Sequence, residues 1–356
     1  MIIWLPVYGG TVTLIQNSIM KKIYRHILTA VILGISLTAC QEWLKPESLA
    51  VNVKGTGTDD SALREQYLEN LRAYKKSADH QLIYVSFDNA YETAKNAAAL
   101  VSYLPDSVDV VEITNPDLHE WFKRDMQKVQ KDYGTRFVIR VSYDDITAPY
   151  GNAPGQTQVS EAEKTVIIDS VVNELLQKVE TYGYDGITVQ YDGLYPDYLY
   201  SNELAALTKK ENDFLPLIAA WKEQNPDKTM FFNGVPTRTI DHTVPLAAEV
   251  IIIPTVDARS VNYADFEARN GANGEFAGSR MMLETMSVPN DPLDKSTGRY
   301  TEGEQIPLML EWMTTNVPDK YTLAGICVYH AEWGCLSTSG YYPILKNVIK
   351  TLNPNS

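Results

Sequence analysis

Eight short runs of β-forming residues, spaced along one chain, predict a parallel (β/α)8 barrel, an α/β fold made as a single domain. From residue 81 onward these runs alternate with amphipathic stretches at helical spacing, the pattern of a parallel sheet covered by helices. The segment they occupy, roughly residues 78–356, also has the length of that fold, which typically takes about 250 residues. A doubly wound open sheet shows the same alternation, but eight regular units in one chain favour the closed barrel.

The strands are expected at 82–87, 108–113, 136–142, 186–191, 229–232, 249–254, 280–285 and 324–329, each apolar and β-branched or aromatic. Helix signals stand between several of them. Ser160 with Glu163 forms a capping box ahead of 166–179, Ser201 opens a helix over 203–222, and Pro116-Asp117 opens one over 118–131. Between the sixth and seventh strands only a short helical pattern, 263–269, is visible, and the last helix is expected near 342–352. A leading helix after Asp60 carries Leu63, Tyr67, Leu71 and Tyr74 close to helical spacing.

The chain ahead of the barrel reads as an export and tethering segment. Residues 1–19 precede a better start at Met20 and are set aside as an over-extended start. Residues 20–39 have a basic beginning (Lys21, Lys22, Arg25, His26) and an apolar stretch from Ile27 to Ala39. That stretch is too short to span a bilayer and suits a signal-peptide hydrophobic region. It ends Leu37-Thr38-Ala39-Cys40, which resembles the lipobox of bacterial lipoproteins. The resemblance implies cleavage before Cys40 and acylation of its thiol. A polar stretch with Lys54-Gly55-Thr56-Gly57-Thr58 and the leading helix then fill 40–77. The expected location is a membrane-anchored lipoprotein outside the cytoplasm, at the outer membrane or cell surface.

Composition narrows the ligand class. A formal net charge of −14 argues against nucleic acid and anionic lipid as partners. It suits a neutral ligand such as carbohydrate. Tyr outnumbers Phe by 22 to 8, and the tyrosine face and hydroxyl suit sugar stacking, although half-buried packing is the commoner use. Beyond Cys40 only Cys327 and Cys335 remain; a disulfide between them is compatible with an oxidising compartment but not required. No Cys/His spacing suggests a metal, and no glycine loop suggests a phosphate cofactor; none is expected.

In a barrel the reactive face lies at the carboxyl ends of the strands. There the sequence places Asp88, Tyr143 and Asp144, Gln190, Asp192 and Tyr195, Asn233, Asp257, Glu284, Tyr329 and Trp333. These are the candidate ligand contacts, although a carboxylate at a strand end also commonly serves as a helix cap.

The most specific segment is Tyr184-Asp185-Gly186-Ile187-Thr188-Val189-Gln190-Tyr191-Asp192. It resembles the signature strand of glycoside hydrolase family 18, the chitinase and endo-β-N-acetylglucosaminidase family, which reads Asp-Gly-x-Asp-x-Asp-x-Glu. Asp185 and Gly186 match; Thr188, Gln190 and Asp192 stand where the later carboxylates would be. Alternation along a strand puts 188, 190 and 192 on one face, lining the interior, and Ile187, Val189 and Tyr191 on the other. The resemblance implies that the residue at 192 would protonate the glycosidic oxygen. It also implies that the residue at 190 would hold the substrate's own acetamido group, which attacks the anomeric carbon. Here the acid is one methylene short, and misplacement of about 1 Å can lower a rate about a hundredfold. Gln190 has no charge to offset an oxazolinium, worth roughly another hundredfold. Thr188 removes the inner carboxylate that would share the proton. The family's strand-three Ser-x-Gly-Gly is replaced by Ser142-Tyr143-Asp144-Asp145, its strand-six tyrosine by Val256 before Asp257, and its strand-eight Trp by Tyr329.

Three functions follow as expectations. The first is a non-catalytic surface lipoprotein that binds N-acetylglucosamine-containing glycans such as N-glycans and works with partner proteins for cleavage and uptake. The second is an active endo-β-N-acetylglucosaminidase that uses Asp192 as general acid. The third is a scaffold subunit of a membrane complex with no glycan site.

Overall fold

A computed structural model describes residues 60–77, 80–289, 291, 293–337 and 340–354. The expectations for 1–19, for the signal peptide at 20–39 and for lipid attachment at Cys40 fall outside the described residues. Among the described residues, no helix is long and apolar enough to cross a membrane.

Eight parallel strands close into a barrel in sequence order: β1 (Leu82–Phe87), β2 (Val110–Ile113), β3 (Arg136–Ser142), β4 (Gly186–Gln190), β5 (Thr229–Asn233), β6 (Val250–Ile253), β7 (Arg280–Met286) and β8 (Thr322–Tyr329). Closure is made by β8 against β1, with Leu82 opposite Gly325 and Val85 opposite Val328. Each strand coincides with an expected run to within two residues at either end. The helices are α1 (Asp60–Lys75), α2 (Glu120–Tyr133), α3 (Tyr143–Thr147), α4 (Glu161–Tyr182), α5 (Ser201–Gln224), α6 (Thr243–Ala247), α7 (Val261–Gly271), α8 (Gln305–Thr315) and α9 (Pro343–Leu352).

Alternation along the strands sorts the side chains into two clusters. Leu82, Tyr84, Val110, Val138, Phe231, Ile252, Met282 and Cys327 fill the barrel interior. Ile83, Val111, Ile139, Ile187, Val189, Tyr191 and Phe232 face outward and pack under the helices. The sixth unit is less irregular than its sequence suggests. Ser260 caps α7 by accepting from the Tyr263 amide at 3.2 Å, and the helix runs beyond the visible pattern at both ends. The Ser160–Glu163 capping box is present, with the Ser160 amide donating to the Glu163 carboxylate at 2.7 Å.

Three local expectations change. Helix α5 begins at Ser201 with Tyr200 as its cap, because the Tyr200 amide donates to Glu203 at 2.9 Å. Helix α2 begins after His119 rather than at Pro116-Asp117. In α1, Leu63 and Tyr67 are exposed and Leu68 with Leu71 form the buried face. That face is turned by Lys75, whose ammonium donates to the Val108 carbonyl and, at 2.8 Å, to the Thr135 hydroxyl, fixing α1 beneath the amino ends of β2 and β3. Burial lowers the Lys75 ammonium to about 8.

The amino ends of the strands are stitched by carboxylates. Asp109, just before β2, accepts from the Ile83 amide at 2.8 Å and from His80 at 2.9 Å. Asp185, just before β4, accepts from the Phe137 amide at 2.7 Å and from Gln130 at 2.8 Å. Asp185 therefore holds β3, β4 and α2 together at the end of the barrel away from the mouth. The glycine that follows has an equally mechanical reason. A Cβ on Gly186 would lie 1.8 Å from the Thr229 carbonyl oxygen, inside the β4–β5 ladder. Gly186→Ala should destabilise the barrel by about 3 kcal/mol, as overpacking against backbone does. Urea unfolding reads this directly; an unchanged midpoint would contradict it.

Candidate active site

The carboxyl half of the barrel interior holds a polar network. Glu112 is fully buried on β2. It accepts from Arg140 of β3 through the guanidinium Nε at 2.9 Å and through Nη2, and from the Tyr84 hydroxyl of β1 at 2.6 Å. Because the single Tyr84 proton goes to Glu112, the Thr188 hydroxyl, 2.7 Å away, must donate to the Tyr84 oxygen. Arg140 also donates through Nη1 to the Gln190 amide oxygen at 3.1 Å. The guanidinium lies over the Tyr329 ring, 4.8 Å from its centroid. Asn233 closes the circuit, donating to the Tyr329 hydroxyl at 3.2 Å and to Glu284. Its own amide oxygen is buried without a protein partner among the described residues.

The electrostatics follow from burial. Burial works against the Arg140 charge, but Glu112, Tyr84 and Glu284 outweigh it and hold the guanidinium above its ordinary range. Tyr84 is pushed well up by burial and by Glu112 beside it. Burial raises Glu284 to about 7, against the pull of the Asn233 hydrogen bond and of Arg140, while Glu112 adds to the rise. Among the described residues, the carboxyl half of the interior thus holds the paired carboxylate of Glu112, the guanidinium of Arg140 and the carboxyl of Glu284, which changes charge near neutrality. Among the described residues, no group of three or more His, Cys, Asp or Glu side chains could hold a metal ion.

The sequence-derived contacts separate into two sets. Gln190, Asn233, Glu284 and Tyr329 meet in the network. Asp192 stands above it, exposed, with no hydrogen bond to its carboxylate among the described residues; its backbone carbonyl accepts from Lys210 at 2.7 Å. Tyr143 is not at the mouth. It is buried in the outer shell, edge-on to Tyr191 and Phe214, with the Lys210 ammonium 4.6 Å above its ring. The reason is chain direction: β3 ends at Ser142 and Tyr143 starts α3, so its ring turns back under α4 and α5. Asp144 is engaged by Lys210 at 3.2 Å. Asp88 caps its own turn, accepting from the Ala90 amide at 3.0 Å. Tyr195 lies under the Arg238 guanidinium at 4.8 Å, with a buried hydroxyl that has no protein partner among the described residues. Asp257 is exposed beyond β6. Trp333 is stacked on His330 with centroids 4.1 Å apart and rings nearly parallel. Cys327 and Cys335 are both free and buried. Cys327 belongs to the barrel interior and Cys335 to the outer shell, so β8 separates them and no disulfide forms.

Sequence reasoning missed Tyr84, Glu112 and Arg140 as members of the site. A signal was present: Glu112 in Val110–Ile113 and Arg140 in Arg136–Ser142 are charged side chains at inward positions within β-forming runs. A charge there is retained only if paired.

A family model described as glycoside hydrolase family 18, BT1044-like, matches residues 44–351. Among solved structures, a selenomethionine form of a Glu-to-Gln variant of BT1044 is 17% identical, covering 82% of this chain and 93% of that one, with a TM-score of 0.58. The endo-β-N-acetylglucosaminidase from Cordyceps militaris in its apo form is 16% identical, covering 84% of this chain and 98% of that one, with a TM-score of 0.57. A double mutant of the Cordyceps enzyme in complex with fucosyl-N-acetylglucosamine-Asn is 17% identical over 84% of this chain and 98% of that one, with a TM-score of 0.55. A search of curated proteins finds no match.

The position of Glu284 makes a stability prediction. A carboxyl raised from an ordinary 4.5 to about 7 in the folded state binds its proton more tightly there than in the unfolded chain. Stability should therefore fall as pH rises from about 4.5 and level off above 7, by roughly 3 kcal/mol at most. Glu284→Gln should remove that part of the slope, because the amide oxygen still accepts from Asn233. Urea unfolding at stepped pH is the check, and a slope equal in both proteins would refute the assignment.

Proposed function

The chain belongs to the glycoside hydrolase family 18, BT1044-like family, and from that premise we propose that it binds N-acetylglucosamine-containing glycans, such as N-glycans, at the barrel mouth without cleaving them. The observation that carries the reading is at the signature strand. Thr188 and Gln190 occupy the two inner carboxylate positions; both are hydrogen-bonded to the Tyr84–Glu112–Arg140 network, and neither carries a charge to offset a substrate cation. Asp192 keeps a carboxyl at the outer position but is one methylene shorter than glutamate. Loss of the stabilising carboxylate and retraction of the acid would each lower a rate about a hundredfold, together about ten-thousandfold. Binding needs neither group. It needs hydrogen-bonding side chains and aromatic faces, and Gln190, Tyr329 and Trp333, at or just beyond the carboxyl ends of β4 and β8, would supply them.

The ligand class is drawn from the similar proteins. One is an endo-β-N-acetylglucosaminidase, determined also with fucosyl-N-acetylglucosamine-Asn. The chitobiose core of an N-glycan is the corresponding ligand here. Lipid attachment at Cys40 would hold such a barrel outside the cytoplasm, at the outer membrane or cell surface. There it would retain glycan for partner proteins that cut and import it.

One observation favours a second reading, an active endo-β-N-acetylglucosaminidase. The Asp192 carboxylate is exposed and carries no hydrogen bond among the described residues, so it is free to act as an acid. Two measurements separate the readings. Calorimetric titration with di-N-acetylchitobiose and with an intact N-glycan should give heat, and mass spectrometry of a glycoprotein incubated with the protein should show no released glycan. Catalytic release that disappears in Asp192→Ala would establish the second reading, and absence of heat with every N-acetylglucosamine ligand would remove the first. For the tether, Cys40→Ser should move the protein from the membrane fraction to the soluble fraction of cells; an unchanged distribution would contradict lipidation.

A further inference from the structure

Gln190 keeps an unused amide donor at the barrel mouth among the described residues. A glutamine amide has an acceptor end and a donor end, and they are nearly the same shape. Arg140 decides which end faces where. A guanidinium has donors only, so the end it meets at 3.1 Å must be the amide oxygen. Arg140 is not free to turn away. Its Nε and Nη2 are both spent on Glu112, and its face lies 4.8 Å from the Tyr329 ring centroid. Glu112 is in turn fixed by the Tyr84 hydroxyl at 2.6 Å. The Gln190 amide nitrogen has no protein partner among the described residues, and the residue is half-buried at the end of β4.

We infer that Arg140 is a positioning residue that sets Gln190 as a hydrogen-bond donor to the ligand, so that the site selects an N-acetyl group by its carbonyl oxygen. This rests on the glycan-binding reading above. It also links affinity to the absence of cleavage. In substrate-assisted hydrolysis the acetamido carbonyl oxygen must attack the anomeric carbon. An oxygen that accepts a hydrogen bond from Gln190 is a weaker nucleophile, and the adjacent guanidinium opposes the positive charge the attack would create.

Titration with di-N-acetylchitobiose and its N-thioacetyl analogue tests the inference, because a thiocarbonyl sulfur is a poor acceptor. The unmodified protein should bind the oxygen form about tenfold more tightly, the difference one hydrogen bond of this kind supports. Gln190→Glu replaces the donor by an acceptor of the same size and still pairs with Arg140; it should keep its thermal midpoint and bind chitobiose about tenfold more weakly. Arg140→Lys retains an ion pair with Glu112 but loses the arm that reaches Gln190, leaving the amide free to flip. Its preference for the oxygen form should fall towards unity, a readout that a purely structural role for Arg140 would not move. Equal binding of the two forms by the unmodified protein, chitobiose binding by Gln190→Glu as tight as before, or an unchanged preference in Arg140→Lys would each overturn the inference alone. Failure of the unmodified protein to bind chitobiose at all would overturn the glycan-binding reading with it.

Discussion

The Glu112–Arg140 ion pair inside the barrel is the constraint on which the site depends. A carboxylate with no exposure to water is tolerable only when its oxygens are fully engaged, and removing one partner of such a pair costs about 3–5 kcal/mol because the other is left unpaired. The engagement here is thorough. Arg140 takes one Glu112 oxygen twice and Tyr84 takes the other. Each of these donors then fixes a neighbour: Tyr84 needs the Thr188 hydroxyl, and Arg140 needs an acceptor at 190 and a ring at 329. One buried charge on β2 thereby dictates side chains on four other strands.

The side chains at 188 and 190 therefore form one arrangement. An inner carboxylate at 188 would face Glu112 across Tyr84, placing two negative charges and one proton in a buried space. Threonine offers a donor instead and leaves the interior with its paired carboxylate. At 190 a carboxylate would be claimed by Arg140. Glutamine meets Arg140 with its oxygen and keeps a donor for the mouth. The architectural half of the signature is unaffected, since Asp185 and Gly186 serve the β3–β4 and β4–β5 ladders at the other end of the strand. The roles of Asp185 and Gly186 in the fold are thus separate from the side chains at the mouth.

The fold was legible because its signals are local and repeated. The β-forming runs Leu82–Phe87 and Gly186–Gln190, and a capping box at Ser160–Glu163, need no long-range information. The network was only half legible. Gln190, Asn233, Glu284 and Tyr329 could be placed at strand ends by period alone, but their partners come from strands far away in sequence. Tyr84 and Thr188 are 104 residues apart, and nothing in either segment names the other. Tyr143 shows the opposite failure. Its position after a strand suggested the mouth, but the turn into α3 sends the ring outward, a matter of backbone direction that the period cannot foresee. In α1 the apolar spacing suggested a face through Leu63 and Tyr67, whereas the reach of Lys75 to Val108 and Thr135 turned the helix onto Leu68 and Leu71.

The electrostatic character of the mouth follows from the same pair. Under the proposed glycan-binding reading, a guanidinium beside Gln190 and a carboxyl at 284 that is neutral over much of the acidic range would disfavour a carbohydrate cation and accept a neutral sugar. The most direct measurement is a crystal structure of the protein soaked with di-N-acetylchitobiose. A barrel that holds glycan without cutting it predicts an intact disaccharide at the mouth, with an acetamido oxygen within hydrogen-bonding distance of the Gln190 amide nitrogen. A disaccharide cleaved in the crystal, or an acetamido group seated away from Gln190, would contradict it.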